Sequence, residues 1–186
     1  RLVREAGLPP SVSEGCLRVL RSLGHAEEMA HGGEGAVHLH ELGGRDTLAD
    51  VVGSLAALHS LAVDRVVCSP LNVGSGSVQC RHGLLPVPAP ATARLLEGVP
   101  VFSAGPPMER TTPTGAALVR EMSGSFGPMP SMTLGRLGVG AGSRDTPGLA
   151  NLLRLFVGEA PAQPFESRST MIECGIDDVS PEYLAP

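Results

Sequence analysis

Residues 45–71, "RDTLADVVGSLAALHSLAVDRVVCSPL", decide the class of fold that this chain adopts. The first part of this stretch is apolar on most faces of a helix, and Asp46 stands where an N-cap residue is expected. The remainder, "DRVVCSPL", is short, rich in valine and typical of a strand. A buried helix that leads into a strand is the repeating unit of α/β proteins. We therefore predict a mixed α/β (α+β) fold, with short strands that alternate with helices.

The same alternation continues on both sides of this stretch. Apolar residues at helical spacing predict a helix over 11–32 with Ser11 or Ser13 as its cap. Another helix is predicted over 111–124, with Thr112 as the cap and Pro113 in the first position. The strand order does not follow from the pattern. The other predicted elements are a short helix that starts at Pro90, strands over 36–42, 99–103 and 151–159, and glycine-rich loops over 74–77 and 138–145.

The composition limits the classes of partner. The 186 residues are enough for a domain with a real core, and that core is aliphatic because the chain has four Phe, one Tyr and no Trp. The 24 glycines and 17 prolines predict many turns and proline-rich loops. A net charge of −5 without a basic run argues against nucleic acid and anionic membranes as partners. No apolar stretch is long enough to span a bilayer.

The cysteines and the two ends of the chain give two further expectations. The four cysteines are scattered without a CxxC pair, which favours a reducing, cytoplasmic location over a disulfide framework. The chain opens with Arg1 inside a helical pattern and closes on "DDVSPEYLAP" without a terminal element. We therefore expect a fragment of a longer protein.

Two groups of side chains are candidate metal ligands. In a strand, His38 and His40 of "VHLHELGGRD" would point to one face, roughly 6–7 Å apart at their backbones. Imidazoles suit nickel, zinc and copper, and carboxylates add charge. Polar residues on the face of a half-buried strand would give the same pattern. The full first group is His38, His40, Glu41, Asp46 and Asp50.

The second group is Cys80 with His82, a thiolate and an imidazole two residues apart in "SVQCRHG". Such a pair binds borderline metal ions well. The alternative is an isolated buried cysteine beside a histidine in a turn.

Three further features suit anions or hard cations. Thr112, Thr114 and Gly115 of "TTPTG" open a helix, where free amides and the helix dipole hold a phosphate. An ordinary Thr-Pro helix cap is the alternative there. Arg144, in the glycine-rich loop, is a second candidate for an anion contact, although the loop lacks the strand-to-helix context of a dinucleotide site. Asp177 and Asp178 suit Mg²⁺ or Mn²⁺, or form a solvated turn.

Taken together, these stretches resemble the LarC family, the nickel-insertion proteins of nickel-pincer cofactor biosynthesis. The resemblance runs from about residue 10 to the end of the chain, and "HGLLPVPAPAT" is its most specific piece. The family motif E-T-N-I-D-D is "ECGIDD" in this chain, because Cys174 and Gly175 replace the Thr and Asn of the motif. The matching stretches, in order, are "VHLHELGGRDTLADVVG", "SPLNVGSGSVQCRHGLLPVPAPAT", "TTPTGAAL", "GVGAGSRD" and "ECGIDDVSPE".

The resemblance implies a function. Family members bind Ni²⁺ and insert it into pyridinium-3,5-bisthiocarboxylic acid mononucleotide, and the product is an SCS pincer that serves lactate racemase and related enzymes. The reaction is coupled to hydrolysis of CTP with Mn²⁺ or Mg²⁺ in the C-terminal domain. On this basis we expect residues 1–160 to be a partial N-terminal nickel-insertion domain, 161–169 a linker, and 170–186 the truncated start of the CTP-binding domain.

The family comparison also sets what we expect of this chain alone. It lacks the family's Asp- and Gly-rich opening, its variable His-rich stretch and nearly all of the C-terminal domain, so we expect the chain by itself to be inactive. The oligomeric state is left open, with a homo-oligomer as one option. The alternatives are a nickel store or metallochaperone without catalysis, and a sugar-phosphate enzyme without a metal.

Overall fold

A computed structural model of the chain describes residues 2–32, 44–80, 83–142 and 151–161. The chain divides into two compact units, Arg1–Met129 and Pro130–Pro186. The predicted strand over 36–42 lies outside the described residues, as does the chain beyond residue 161. The predicted linker and the predicted start of a CTP-binding domain therefore stay predictions.

The first unit alternates helices with very short strands, which confirms the mixed α/β class. Strands are present within the predicted segments 64–71 and 99–103, and the described strands of this unit are two to four residues long. The elements of this unit are α1 (Leu2–Glu5), α2 (Pro10–Ala30), α3 (Arg45–Leu61), β1 (Val67–Cys68), β2 (Leu71–Asn72), β3 (Ser77–Cys80), β4 (Gly83–Pro86), α4 (Pro90–Leu95), β5 (Val101–Phe102), α5 (Pro113–Met122) and β6 (Ser125–Phe126).

Helix α2 carries the core of the first unit. Its buried side chains recur at intervals of three and four residues, so they form one stripe along the helix. Helices α3, α4 and α5 all pack against α2. At Gly15 a Cβ atom would already touch both δ-methyl groups of Leu55 at 3.4 Å, so the small residue lets α3 approach closely. The stripe consists of Val12, Cys16, Val19, Leu23 and Ala26.

The helix starts differ from the predicted caps in two of three cases. Helix α2 begins at Pro10, whose fixed φ suits a first helical position, and neither Ser11 nor Ser13 caps it. Gly44 is the residue before α3, and Asp46 lies inside the first turn instead of capping it. An acidic residue there still favours the helix through the dipole. The prediction for α5 is confirmed, because Thr112 caps the helix and Pro113 opens it.

The strands of the first unit pair two by two. Strand β1 pairs with β6 and β2 with β5, both in parallel, while β3 and β4 form an antiparallel hairpin in which Cys80 faces Gly83. Because parallel strands point the same way, β2 and β5 end at the same edge. The chain segments that follow them, residues 73–76 and 103–112, therefore start side by side.

The second unit contains β7 (Thr133–Ala141) and β8 (Leu152–Glu159), which pair antiparallel. The predicted strand over 151–159 is confirmed, but the loop predicted over 138–145 is wrong in its first part, because Gly138–Ala141 belong to β7. Gly138 and Gly140 face Leu155 and Leu153 on the partner strand, and this pairing sustains a strand that its glycines alone would weaken.

The packing of α2 makes a direct prediction about stability. Leu23 is 1% exposed in the centre of the core, so Leu23→Ala should lower the free energy of unfolding by about 2–5 kcal/mol. Leu2→Ala is the matched control, because Leu2 is 70% exposed, and it should change the same quantity by less than about 0.5 kcal/mol. Urea unfolding followed by circular dichroism measures both. Equal losses in the two variants would contradict this assignment of the core.

Candidate functional site

A cavity of about 510 Å³ lies in the first unit, where several helix ends meet. The last turn of α2, the first turns of α3, the β3–β4 hairpin and the starts of α4 and α5 all contribute to its wall. Its volume is in the range of small-molecule sites. The lining residues are Glu27, Ala30, His31, Thr47, Asp50, Val78, Gln79, Cys80, Leu85, Ala89, Pro90, Ala91, Glu109, Thr112, Pro113 and Thr114.

Four of the predicted site residues line this one cavity. They are Asp50, Cys80, Thr112 and Thr114, which come from α3, β3 and the start of α5. They are far apart in sequence and are brought together by the packing of the helices on α2. Asp46 is exposed in the first turn of α3 and does not line the cavity. Outside the described residues lie His38, His40, Glu41, His82, Arg144, Asp177 and Asp178.

Three ionisable residues of the cavity wall were not predicted from the sequence. Glu27 and His31 lie one turn apart at the end of α2, with His31 Nε2 3.5 Å from Glu27 Oε2. Glu109 comes from the segment before α5. The four-residue spacing of Glu27 and His31 is the one signal that could have pointed to the pair, since such residues share a helix face. Glu109 has no local signal, because only the fold brings it to the cavity.

The start of α5 is arranged differently from the predicted phosphate site in one respect. Thr112 Oγ1 accepts a hydrogen bond from the amide of Gly115 at 3.2 Å, so that amide is already used as the helix cap. The amide of Ala116 donates to the carbonyl of Thr112 at 2.9 Å, and Pro113 has no amide hydrogen. Within the described ranges, the amide of Thr114 is thus the one first-turn donor without such a bond. An anion at this helix start would contact Thr114.

The cavity combines two kinds of electrostatic feature. The starts of α3 and α5 both meet its wall, and each carries roughly half a positive charge from the aligned peptide dipoles. Glu27, Asp50 and Glu109 add three carboxylates to the same wall. Helix starts favour an anionic group and carboxylates favour a cation, so the wall suits a ligand set that contains both.

The described residues do not form a complete metal site by themselves. Within those ranges no three His, Cys, Asp or Glu side chains come close enough together to hold one ion. The chain between Gly32 and Gly44 carries His38, His40 and Glu41, and it joins the last turn of α2 to the first turn of α3.

Cys80 differs from the two other cysteines of the described ranges in its surroundings. It is half-buried and lines the cavity. Burial raises the pKa of the Cys16 thiol, which lies in the stripe of α2. Burial also raises the pKa of the Cys68 thiol, and a hydrogen bond with Ser123 opposes that shift only in part. A raised pKa leaves less of the reactive thiolate near neutral pH.

The first unit is an α/β structure whose cavity wall carries carboxylates, an imidazole, a thiol and two helix starts. A comparison with known families shows to which of them the chain belongs. The profile of the family described as "Nickel insertion protein" matches residues 1–186. The chain belongs to the nickel insertion protein family.

Curated relatives from several bacteria share more than two-fifths of the sequence. A protein of Geobacter metallireducens named "Putative nickel insertion protein" is 44% identical over 184 residues, which is 98% of this chain and 47% of that protein. One from Syntrophobacter fumaroxidans with the same name is 45% identical, with the same coverage of each chain. The "Pyridinium-3,5-bisthiocarboxylic acid mononucleotide nickel insertion protein" of Nocardioides sp. is 46% identical over 181 residues, 97% of this chain and 46% of that protein.

The chain therefore spans about half the length of the curated relatives that it matches. No solved structure matches it significantly. Within the described ranges, no helix combines the length and the apolar character needed to cross a bilayer.

The position of Cys80 predicts the order in which the thiols react. Among the three cysteines of the described ranges, Cys80 should be labelled first by iodoacetamide at about pH 8, because it lines the cavity. Cys68 should react more slowly than a free cysteine, because burial raises its pKa. Cys16, which is fully buried, should react only in denaturant. Peptide mass spectrometry resolves the sites, and Cys80→Ser is the control that removes the fast one. Labelling of Cys80 no faster than that of Cys16 would contradict an accessible cavity.

Proposed function

We propose that this chain provides the nickel-handling part of a protein that inserts Ni²⁺ into pyridinium-3,5-bisthiocarboxylic acid mononucleotide. The proposal rests on the match of the whole chain to the nickel insertion family, together with the name of the relative from Nocardioides sp.. The cavity supports it, because Asp50, Cys80, Thr112 and Thr114 line one wall.

The chemistry requires a site that captures nickel and then releases it. Imidazole and carboxylate ligands suit capture of Ni²⁺, and softer sulfur ligands are able to take the ion from them. We propose His38, His40 and Glu41 as capture ligands, with Asp46, Asp50, Cys80 and His82 as further candidates. The carboxylates of Glu27 and Glu109 on the cavity wall would raise the local concentration of the cation.

The mononucleotide carries one phosphate, which needs an anchor. We propose the start of α5, where Thr112 and Thr114 line the cavity and the Thr114 amide has no bond within the helix cap. Because the Gly115 amide is bonded to Thr112, its role is limited to letting the cap form. Arg144 remains a second proposed phosphate contact. An anchor of this kind would hold the sulfur atoms of the substrate at a fixed distance from the captured ion.

Other parts of the proposal concern the full-length family protein. There we propose coupling to hydrolysis of CTP with Mn²⁺ or Mg²⁺, with Asp177 and Asp178 as metal contacts, and a role in the maturation of lactate racemase. Three cysteines without disulfides in the described ranges support a cytoplasmic location for the protein. We also propose that the full-length protein forms a homo-oligomer.

The proposed capture ligands predict a loss of nickel affinity. The double variant His38→Ala/His40→Ala should bind Ni²⁺ at least about tenfold more weakly than the parent chain, since two imidazole ligands are removed. His25→Ala is the matched control, because His25 is exposed on α2 and does not line the cavity. Isothermal titration calorimetry measures the affinity, with circular dichroism as the check on folding. Parent-like affinity in a folded double variant would show that these histidines are only the polar face of a strand.

The proposed phosphate anchor predicts an effect of charge at Thr114. Thr114→Glu should weaken binding of the mononucleotide roughly tenfold or more by repulsion between like charges, and Ni²⁺ binding should stay nearly unchanged. A carboxylate in the first turn of a helix is stabilising, so unfolding would not explain the loss. Ala57→Glu adds the same charge at an exposed position of α3 that does not line the cavity, and it should bind like the parent. If Thr114→Glu binds as well as Ala57→Glu, the anchor lies elsewhere.

A transfer assay separates nickel insertion from nickel storage. A full-length family protein that contains this chain is loaded with Ni²⁺ and mixed with the dithio mononucleotide, and the absorption of the nickel–sulfur product is followed. An insertion protein should pass the ion to the ligand, whereas a store should keep it until a strong chelator is added. A preparation that binds no nickel at all would favour the remaining alternative, which is an enzyme that acts on sugar phosphates without a metal.

A further inference from the structure

Asn72, the last residue of β2, joins the two chain segments that follow the parallel strands β2 and β5. We call residues 73–76 the first loop and residues 103–112 the second loop. The side-chain oxygen of Asn72 accepts hydrogen bonds from the amides of Gly74 at 3.0 Å and Ala104 at 3.2 Å. Its side-chain nitrogen donates to the carbonyl of Ala104 at 3.1 Å. One amide group thus bonds to both loops at once.

Three further contacts hold the same two loops together. Thr111 Oγ1 donates to the main-chain carbonyl of Asn72 at 2.8 Å, and Ser103 Oγ donates to the carbonyl of Gly74 at 2.6 Å. Gly74 and Glu109 form an isolated antiparallel bridge. Gly74 has a φ of +83°, and a Cβ atom there would overlap the carbonyl oxygen of Met108, so only glycine permits this approach.

Both loops lead directly to residues that line the cavity. The first loop runs into β3, which supplies Gln79 and Cys80. The second loop supplies Glu109 and ends at Thr112, the cap of α5. The relative position of the two loops therefore affects how Gln79 and Cys80 are placed relative to Glu109 and Thr112 in the cavity wall.

We propose that Asn72 is a positioning residue for the substrate cavity. It acts through the two loops, holding the start of α5 and the β3–β4 hairpin at the separation that the mononucleotide requires. The inference rests on the proposed function, because that function names the ligand. The amide side chain suits this task, because its nitrogen donates to the carbonyl of Ala104 while its oxygen accepts from the amides of Ala104 and Gly74.

A purely structural role predicts a different pattern of results. If the bonds of Asn72 served only the stability of the first unit, their loss would lower the melting temperature but leave ligand affinity unchanged in the molecules that remain folded. A positioning role predicts weaker ligand binding in fully folded protein, together with faster hydrogen exchange confined to the two loops. The two readings therefore separate when affinity and exchange are measured well below the melting temperature.

Four variants of the chain test the proposal. Asn72→Ala removes all three side-chain hydrogen bonds, Asn72→Asp keeps the acceptors but loses the donor to Ala104, and Thr111→Val removes the bond to the Asn72 carbonyl. Ser60→Ala is the matched control, because Ser60 Oγ donates a single bond to the carbonyl of Ala57 in α3, away from the cavity. Calorimetry with the mononucleotide and hydrogen–deuterium exchange by mass spectrometry are run on each variant.

Asn72→Ala should bind the mononucleotide about tenfold more weakly than the parent. Its peptides over 73–79 and 103–112 should exchange faster, while those of α2 and α3 should not change. Asn72→Asp and Thr111→Val should give smaller effects in the same direction, and Ser60→Ala should match the parent. Unchanged exchange in both loops of Asn72→Ala would overturn the proposal, and so would faster exchange with parent-like affinity.

The exchange measurement also separates this inference from the proposed function. If the parent chain does not bind the mononucleotide, the proposed function fails, and with it the named ligand of the cavity. Asn72 could then not position that substrate, and the inference would be overturned as well. The hydrogen exchange of the variants would still show whether Asn72 holds the two loops together. If the parent binds the mononucleotide, and the Asn72 variants match Ser60→Ala in affinity and hydrogen exchange, the inference about Asn72 fails while the proposed function stands.

Discussion

The fold of the first unit depends on the buried stripe of α2. Val12, Cys16, Val19 and Leu23 are almost fully inaccessible, and α3, α4 and α5 all pack on the same helix. Three helices that share one apolar stripe must run close to each other, and their ends then meet around a limited volume. The cavity is that volume, because its wall is built from the end of α2 and the starts of α3, α4 and α5. The geometry of the candidate site is thus a consequence of core packing, and a change in the stripe would alter the spacing of groups that do not touch it.

The wall of the cavity carries opposing electrostatic features. Two helix starts offer partial positive charge, while Glu27, Asp50 and Glu109 carry negative charge. A wall with both features offers favourable positions for a cation and for an anionic group. The proposed insertion of nickel would bring a divalent cation to a ligand that bears a phosphate and two thiocarboxylates. A wall with both features lowers the cost of bringing those charges together, and the net charge of −5 makes the helix starts the favourable place for the anion.

Local sequence signals predicted some parts of this structure and not others. The helical periodicity of α2 and the Thr112–Pro113 start of α5 depend on neighbouring residues, and both are confirmed. Asp46 and Ser11 were wrong as caps because Gly44 and Pro9 already occupy the positions before the helices. Gly138–Ala141 were predicted as a loop, but pairing with the leucines of β8 makes them a strand. The inclusion of Glu27, His31 and Glu109 in the cavity depends on how distant segments pack, and no local pattern contains that information.

The role of the glycines in "LNVGSGS", residues 71–77, depends on which part of the chain packs against them. A glycine-rich segment after a strand is often a place where backbone approaches a ligand. Here the close neighbour of Gly74 is the carbonyl of Met108, and Gly76 lies against Pro107, so the glycines admit the second loop instead of a ligand. The parallel pairing of β2 and β5 explains why the two loops meet, because both strands end at one edge. The glycines are therefore required by the contact between the loops, and their effect on the cavity is indirect. They allow the second loop to bring Glu109 and Thr112 to the wall that Cys80 also lines.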